Sequence, residues 1–216
     1  MKLLFKLTTR SRPHRAIKTL ESIFNNVTTD NFHVLISLDH DDLTTTAIYD
    51  WCDNKFDKIT IASGTSKNKI DAINRDLNNF LVKWDVLLNV SDDQVFTKKG
   101  FDKIIIDSLN GNLDQFLHFP DGNRNDLATM SIIGFDYYQR DKYVYHPSYQ
   151  SVYCDNEAQE VAVIRGCYKF VNDNILSHEH PAYSKGTYDS LYSKNDKFYF
   201  DDESNYIKRK KLNFEL

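Results

Sequence analysis

Two adjacent acids, Asp92 and Asp93, are the residues of this sequence best placed to do chemistry. They follow an apolar run over 86–90, which has the pattern of a strand buried on both faces of a sheet. In an open α/β sheet, ligands bind in the crevice outside the carboxyl ends of the strands. Adjacent carboxylates repel each other unless a cation lies near them, and a divalent metal that also binds phosphate oxygens is such a cation. The run therefore predicts either a metal and phosphate site or a solvated turn.

Polar residues also follow the first two predicted strands. Thr9 and Arg10 come after the apolar run that opens the chain, and Asp39 ends the next run. A strand that leads through a loop into a helix places Thr9, Arg10 and Arg12 on the same edge of the sheet as Asp93. The pattern predicts a polar crevice along this edge.

A polar loop over 62–69 precedes a helical pattern that runs from 70 to 81. The loop offers a glycine, hydroxyls and lysines at the start of a helix, which suits a phosphate or a polar base edge. Its spacing does not match a Walker A loop. The loop therefore indicates a ligand contact without naming the ligand.

The second half of the chain adds two histidines and two acids. His178 and His180 occupy alternate positions of an extended run, so both side chains are expected on one face. Asp155 and Glu157 open a helical segment that Gly166 ends. An acid at the cap or in the first turn of a helix is favoured without any catalytic role, and Asp155 is the predicted cap.

The elements that must position these residues change character midway along the chain. Strand and helix patterns alternate over 1–110, which predicts a parallel, doubly wound sheet. Ser11 is the predicted cap of its first helix. Residues 111–181 contain turn signals, short strands and many aromatic residues, and 182–216 form a tail suited to a lid or to a packed arm. One domain with two functional halves is expected.

Composition limits the class of protein. A chain of 216 residues with 41% hydrophobic residues can build a core, and a net charge of −4 with a pI near 6.0 argues against a general nucleic-acid binder. Three cysteines at no metal-like spacing and the lack of a membrane-spanning segment predict a reducing, cytoplasmic location. The basic run over 208–211 is typical of a solvated face and, less often, of weak contact with an anionic membrane surface.

The order of these motifs resembles that of metal-dependent glycosyltransferases with the GT-A fold, especially the family 2 type. In that pattern an acid-rich triplet closes the fourth strand, and here it reads Ser91-Asp92-Asp93, with Ser where many members have Asp. The resemblance implies a GT-A-like, Rossmann-related α/β domain with a mostly parallel sheet flanked by helices. Residues 1–110 would be its nucleotide-sugar-binding half, and 111–181 a C-terminal acceptor-side subregion. It also implies hexosyl transfer, with inversion, from a UDP- or GDP-sugar to a hydroxyl of a saccharide or other acceptor, with Mn²⁺ or Mg²⁺ as cofactor.

The resemblance also assigns roles to individual residues. The metal ligands would be Asp93, His180 and His178, with His180 favoured over His178. The donor contacts would be Thr9 and Arg10 in the first nucleotide loop, Asp39 at the base, Asp92 at the ribose or sugar, and Lys69 and Asn74 in a segment similar to the family's Ala-x-Asn. For Lys69 and Asn74 a solvated helix face is an equal alternative. The general base, which contributes about 10²- to 10⁴-fold, would be Asp155 or Glu157, and the resemblance does not choose between them.

Three other functions fit parts of the sequence. A nucleotidyltransferase would use the same sheet with acids and Mg²⁺, but it usually needs a glycine-rich loop after the first strand, and residues 8–13 contain no glycine. A non-catalytic sugar- or nucleotide-binding module would need Asp39 and the aromatic residues, without both the acid pair and the late histidines. A phospho-receiver would use Asp39, Asp41 and Asp42, but no receiver pattern follows them.

Overall fold

A computed structural model describes residues 1–183 and 185–216. The first half alternates strands with helices, in the order β1 Leu3–Thr8, α1 Pro13–Asn26, β2 Phe32–Asp39, α2 Thr46–Cys52, β3 Ile59–Gly64, α3 Lys69–Asn74, β4 Val86–Ser91, β5 Gln94–Phe96 and α4 Phe101–Leu109. The second half contains β6 Phe116–His118, β7 Ile132–Gly134, α5 Phe135–Asp141, α6 Cys154–Ile164, β8 Tyr168–Phe170, β9 Leu176–His178, α7 Ser190–Asp196 and α8 Tyr199–Lys211.

Within the described part of the chain, seven strands form a central sheet in the order β3-β2-β1-β4-β7-β6-β8. The strands β3, β2, β1 and β4 are parallel neighbours, whereas β7 runs antiparallel to both β4 and β6. Thr8 at the end of β1 lies opposite Ser91 at the end of β4, so the loops that follow these two strands are adjacent. This mostly parallel sheet flanked by helices confirms the predicted α/β class.

The core lies on both faces of the sheet because its central strands are apolar on both faces. In β1, Phe5 faces one layer and meets Phe32, Phe96 and Phe101 edge-on, each at 6.0 Å between ring centroids. Leu4 faces the other layer, which combines residues of α3 with residues of the second half. Burial on both faces holds the strand ends, and therefore the loops that carry polar residues, in fixed positions.

A second, two-stranded sheet connects the acid pair to the late histidines. β5 pairs antiparallel with β9, and Gln94 lies opposite His178. Just outside this pairing, the backbone N–H of Glu179 donates to the carbonyl of Asp93 at 2.7 Å. This pairing places His178 next to Asp93, although the two residues are far apart in the sequence.

Three local expectations were wrong. The helix predicted over 70–81 ends at Asn74, because Arg75 is extended and Asp76 has φ 72°, in the left-handed region. Ser11 also has positive φ and does not cap α1; Arg12 holds that position, without a side-chain cap, and Pro13 opens the helix. Asp155 lies in the first turn of α6 rather than at its cap.

Candidate functional site

Asp92 lies at the carboxyl end of β4 and is only 7% exposed. Thr9 donates its hydroxyl to Oδ2 at 2.7 Å, and a guanidinium nitrogen of Arg12 lies 3.3 Å from Oδ1. Burial and the neighbouring Asp93 raise the pKa of Asp92 to about 6, although the Arg12 charge opposes the rise. The predicted proximity of Thr9 to the acid pair is therefore seen as a direct hydrogen bond.

Asp93 is 6% exposed and has one free oxygen. Tyr192 donates its hydroxyl to Oδ2 at 2.7 Å. Nε2 of His178 lies 3.3 Å from Oδ1 as an ion-pair partner, and among the described residues Oδ1 accepts no well-formed hydrogen bond. Burial alone would raise the pKa of Asp93, but His178 and the Tyr192 hydroxyl lower it overall.

His178 bridges Asp93 and a second buried acid, Asp121. Nδ1 of the imidazole lies 3.1 Å from Oδ2 of Asp121. Burial opposes protonation of the ring, but the two flanking carboxylates raise the pKa of His178 to about 9. The ring of His180 lies 5.4 Å from that of His178, between centroids, and 4.8 Å from the ring of Tyr192. His178 therefore contacts Asp93 and His180 lies beside His178, while their role as metal ligands stays a prediction.

The segment over 185–196 lies against the acid pair and is called the strap below. Asp189 caps α7 and receives two hydrogen bonds from Arg12, at 2.6 and 2.7 Å. The Arg12 guanidinium also lies 4.0 Å from the centroid of the Tyr192 ring. Each of the paired acids is therefore connected to the strap, Asp92 through Arg12 and Asp93 through Tyr192.

The neighbouring crevice, at the ends of β2 and β3, contains Asp39. Arg10 donates to Oδ2 of Asp39 at 2.9 Å and also binds Asp41. Oδ1 of Asp39 is buried without a hydrogen-bond partner, and a guanidinium nitrogen of Arg75 lies 3.5 Å from it. A Cβ at Gly64 would lie 2.4 Å from the same guanidinium, so the absence of a side chain there makes room for Arg75. This pocket offers one acceptor and unpaired N–H donors, the groups that recognise a polar base edge.

Lys69 and Asn74 lie at opposite ends of α3 and differ in their contacts. The positive charge of the exposed Lys69 lowers the pKa of Asp93. It also lowers the pKa of Asp155, although burial raises that pKa overall, so the charge acts on both acids. Asn74 instead donates to the carbonyl of Tyr145 at 2.7 Å and accepts the N–H of Val144 at 2.9 Å. Its amide thus holds the second half against α3, and its predicted donor contact stays a prediction.

The two candidate bases in α6 have different surroundings. Glu157 is 3% exposed, and both of its oxygens accept hydrogen bonds from Arg209, at 2.8 and 2.9 Å. Tyr149 donates a further hydrogen bond to Glu157 at 2.8 Å. Among the described residues, the Asp155 carboxylate accepts only the backbone N–H of Asn156, and burial raises the pKa of Asp155. Asp155 therefore has a free, more basic carboxylate, whereas Glu157 is held in a buried ion pair.

The donor set fits a divalent cation in part. The partnerless Oδ1 of Asp93 and Nε2 of His178 are an oxygen and a nitrogen of the kinds that bind Mn²⁺. In the described ranges, 1–183 and 185–216, no three His, Cys, Asp or Glu side chains are already arranged as a metal cluster. Two protein groups are nevertheless enough where substrate phosphates complete the coordination.

Sequence reasoning missed four residues of this site, namely Arg75, Asp121, Asp189 and Tyr192. Asp121 has a local signal, because it stands in a Pro-Asp-Gly turn directly after a strand on the same side of the sheet. Tyr192 and Asp189 lie about a hundred residues after the acid pair, in a segment with no strand or motif to mark its partner. Only the fold reveals their contacts.

Comparison with known proteins identifies the fold. No protein-family model matches the sequence, and no curated protein matches it. Solved structures do match. A mannosyltransferase from Pyrobaculum calidifontis, PcManGT, in complex with GDP-Man and Mn²⁺, aligns over 80% of this chain with a TM-score of 0.66 and 11% identity. S. aureus TarS 1-349 in complex with UDP-GlcNAc aligns over 88% with a TM-score of 0.65 and 14% identity.

These neighbours are GT-A-type glycosyltransferases, and the chain has the GT-A fold. The resemblance read from the motifs is confirmed at the level of the fold. The chain covers 55% of the PcManGT chain and 62% of the TarS chain, so it corresponds to less than two thirds of either neighbour.

The basic run over 208–211 is divided between the two sides of α8. Arg209 is buried in its ion pair with Glu157, and Lys210 pairs with Glu160 at 2.7 Å. Lys208 and Lys211 line a groove on the outer side together with apolar residues. Among the described residues, no helix is long and apolar enough to span a membrane.

Proposed function

We propose that this chain is a metal-dependent glycosyltransferase that transfers a sugar from a nucleotide diphosphate sugar to an acceptor hydroxyl with inversion. The observation that best supports this proposal is the position of Oδ1 of Asp93 at the carboxyl edge of a GT-A sheet. This oxygen is buried, accepts no hydrogen bond from the described residues and lies beside Nε2 of His178. Structural neighbours with GDP-Man, UDP-GlcNAc and Mn²⁺ support a nucleotide sugar and a divalent cation as ligands. UDP- and GDP-sugars are both candidates.

In this proposal Asp93, His178 and His180 would hold Mn²⁺ or Mg²⁺. The ring of His180 lies 5.4 Å from that of His178, between centroids, which supports it as the third ligand. The cation supplies Lewis-acid neutralisation of the charge that develops on the leaving diphosphate. Lys69 adds a positive charge on the same side of the site.

The nucleoside would lie along the ends of β1, β2 and β3. Asp39, with its free Oδ1, accepts an N–H of the base, and Arg10 and Arg75 fix the orientation of Asp39. Asp92, oriented by Thr9, accepts the ribose or sugar hydroxyls. Its ionised form is the better acceptor, so donor binding should weaken at low pH, where Asp92 becomes protonated.

Asp155 is the proposed general base. A sugar hydroxyl is a weak nucleophile, and a carboxylate with a raised pKa takes its proton more readily. Attack on the face opposite the leaving diphosphate inverts the anomeric configuration. The strap is proposed as a lid, because Tyr192 and Asp189 connect it to both paired acids.

A screen of nucleotide sugars tests the proposal. UDP- and GDP-sugars are added to the whole chain with and without Mn²⁺, and the thermal midpoint is measured. A donor present at 100 times its Kd should stabilise the fold by about 2.7 kcal/mol. Stabilisation that needs both the nucleotide sugar and Mn²⁺ is expected, and no shift with any donor would contradict the proposal. Product analysis by NMR then tests inversion, which a retained anomeric configuration would refute.

We also propose weak contact of the outer side of α8 with an anionic membrane surface. Lys208 and Lys211 flank Ile207 and Leu212, which are about half exposed. Each lysine near such a surface contributes about 1 kcal/mol. Sedimentation with anionic and neutral vesicles tests this: binding to anionic vesicles should be lost in the double variant Lys208→Glu and Lys211→Glu, and equal binding to neutral vesicles would refute the charge argument.

A further inference from the structure

Asp121 is a buried acid, 1% exposed, that contacts His178 with both its main chain and its side chain. The backbone carbonyl of Asp121 accepts the N–H of His178 at 2.8 Å. Oδ2 lies 3.1 Å from Nδ1 of the imidazole and also accepts the Thr129 hydroxyl at 3.0 Å. Oδ1 makes a separate set of contacts, with the backbone N–H groups of Asn123 and Arg124, each at 2.9 Å. One oxygen thus holds the loop, and the other faces the histidine.

We propose that Asp121 is a positioning residue that fixes His178 as a metal ligand. This inference rests on the proposed function, because it requires a cation between His178 and Asp93. A neutral imidazole carries one proton, and the hydrogen bond made by one ring nitrogen decides which nitrogen holds it. A cation bound beside Asp93 would displace the Nε2 proton, and an ionised Asp121, which can only accept, would keep the remaining proton on Nδ1, so that the lone pair of Nε2 faces the cation.

The two oxygens of Asp121 have different partners. One substitution can therefore change the contact with His178 and keep the contacts with the loop after β6. In Asp121→Asn, the amide oxygen can still accept both backbone N–H groups, so the loop after β6 is retained. The amide nitrogen then faces Nδ1 of His178 as a donor. Because this amide N–H donates to Nδ1, the ring proton must lie on Nε2. There the proton points at the cation position, and Nε2 has no lone pair left to bind the cation.

Calorimetry of Mn²⁺ binding in the presence of UDP or GDP tests the inference on the whole chain. The wild type is compared with Asp121→Asn and with Thr129→Val, which removes the other side-chain donor to the same oxygen but leaves the imidazole contact. Loss of a carboxylate behind a metal-ligating histidine typically weakens metal affinity by about 10- to 100-fold. We expect that loss in Asp121→Asn, and wild-type affinity in Thr129→Val.

The outcomes separate this inference from the proposed function. If the wild type binds Mn²⁺ and Asp121→Asn binds it equally well, the positioning role is wrong and the metal site stands. If the wild type shows no Mn²⁺-dependent heat with either nucleotide, both the metal site and the role of Asp121 are wrong. Should Asp121→Asn fail to fold, ¹⁵N NMR of the wild type with Mg²⁺ and nucleotide decides: a proton on Nδ1 of His178 supports the inference, and a proton on Nε2 overturns it.

Discussion

Two carboxylates of α6, two positions apart, should respond in opposite ways to loss of their charge. Asp155→Asn should remove the general base, which contributes about 10²- to 10⁴-fold to the rate. Its stability should stay close to that of the wild type, because the carboxylate accepts only one local N–H. Glu157→Gln should instead lower stability, since it leaves the buried Arg209 charge without its main partner.

The size of the stability loss follows from burial. Removing one partner of a buried ion pair costs about 3–5 kcal/mol. Arg209 keeps a contact with Glu215 at 2.8 Å, and that carboxylate is 62% exposed, so we expect the lower end of the range. For a chain of this size, 3 kcal/mol corresponds to a fall in Tm of roughly 6–12 °C.

The assay measures three quantities for each variant. Release of nucleoside diphosphate in the presence of an acceptor gives kcat, calorimetry gives Mn²⁺-dependent affinity for the donor, and thermal unfolding gives Tm. Asp155→Asn should lose kcat alone, and Glu157→Gln should lose Tm while the properly folded fraction keeps its kcat. Wild-type kcat in Asp155→Asn would refute its role as base. A wild-type Tm in Glu157→Gln would refute the reasoning from the buried ion pair.

Two further predictions concern the strap and the core. Tyr192→Phe removes a hydrogen bond to a charged group, worth about 1.5–3 kcal/mol, so amide exchange in the strap should accelerate roughly tenfold or more. Tyr188→Phe, whose hydroxyl bonds only within the strap, is the control, and equal exchange in both variants would contradict the contact with Asp93. Burial lowers the pKa of the Lys6 ammonium in the folded protein from 10.5 to about 7. Between these two pH values the unfolded chain binds one more proton than the folded chain, so the free energy of unfolding rises with pH. Urea unfolding at pH 7.5 and 9.5 should show a slope of at most about 1.4 kcal/mol per pH unit that Lys6→Met lacks; equal slopes would show that Lys6 is not the source.

The parts of the fold that follow from local pattern were predictable. The apolar runs of β1 and β4 mark strands buried on both faces, and their carboxyl ends carry Thr9 and Asp92, which form a hydrogen bond. The alternate spacing of His178 and His180 was also informative, because it belongs to a real strand end beside Asp93.

The remainder depends on contacts distant in sequence, which no local pattern encodes. Helical spacing continues past Asn74, yet the backbone leaves the helix at Arg75, and the Asn74 amide binds the backbone at Val144 and Tyr145. Asp155 and Glu157 look alike in the sequence, and only the position of Arg209 in α8 distinguishes them. The same holds for Tyr192, whose contact with Asp93 requires the whole fold.

Calorimetry of a nucleoside diphosphate with and without Mn²⁺, on the wild type and on Asp93→Asn, tests the central claim most directly. The substitution keeps an acceptor for the Tyr192 hydroxyl and removes the negative charge that would hold the cation. The wild type should bind the nucleotide more tightly when Mn²⁺ is present, and Asp93→Asn should show no such gain. An equal gain in both proteins would contradict a cation site at Asp93.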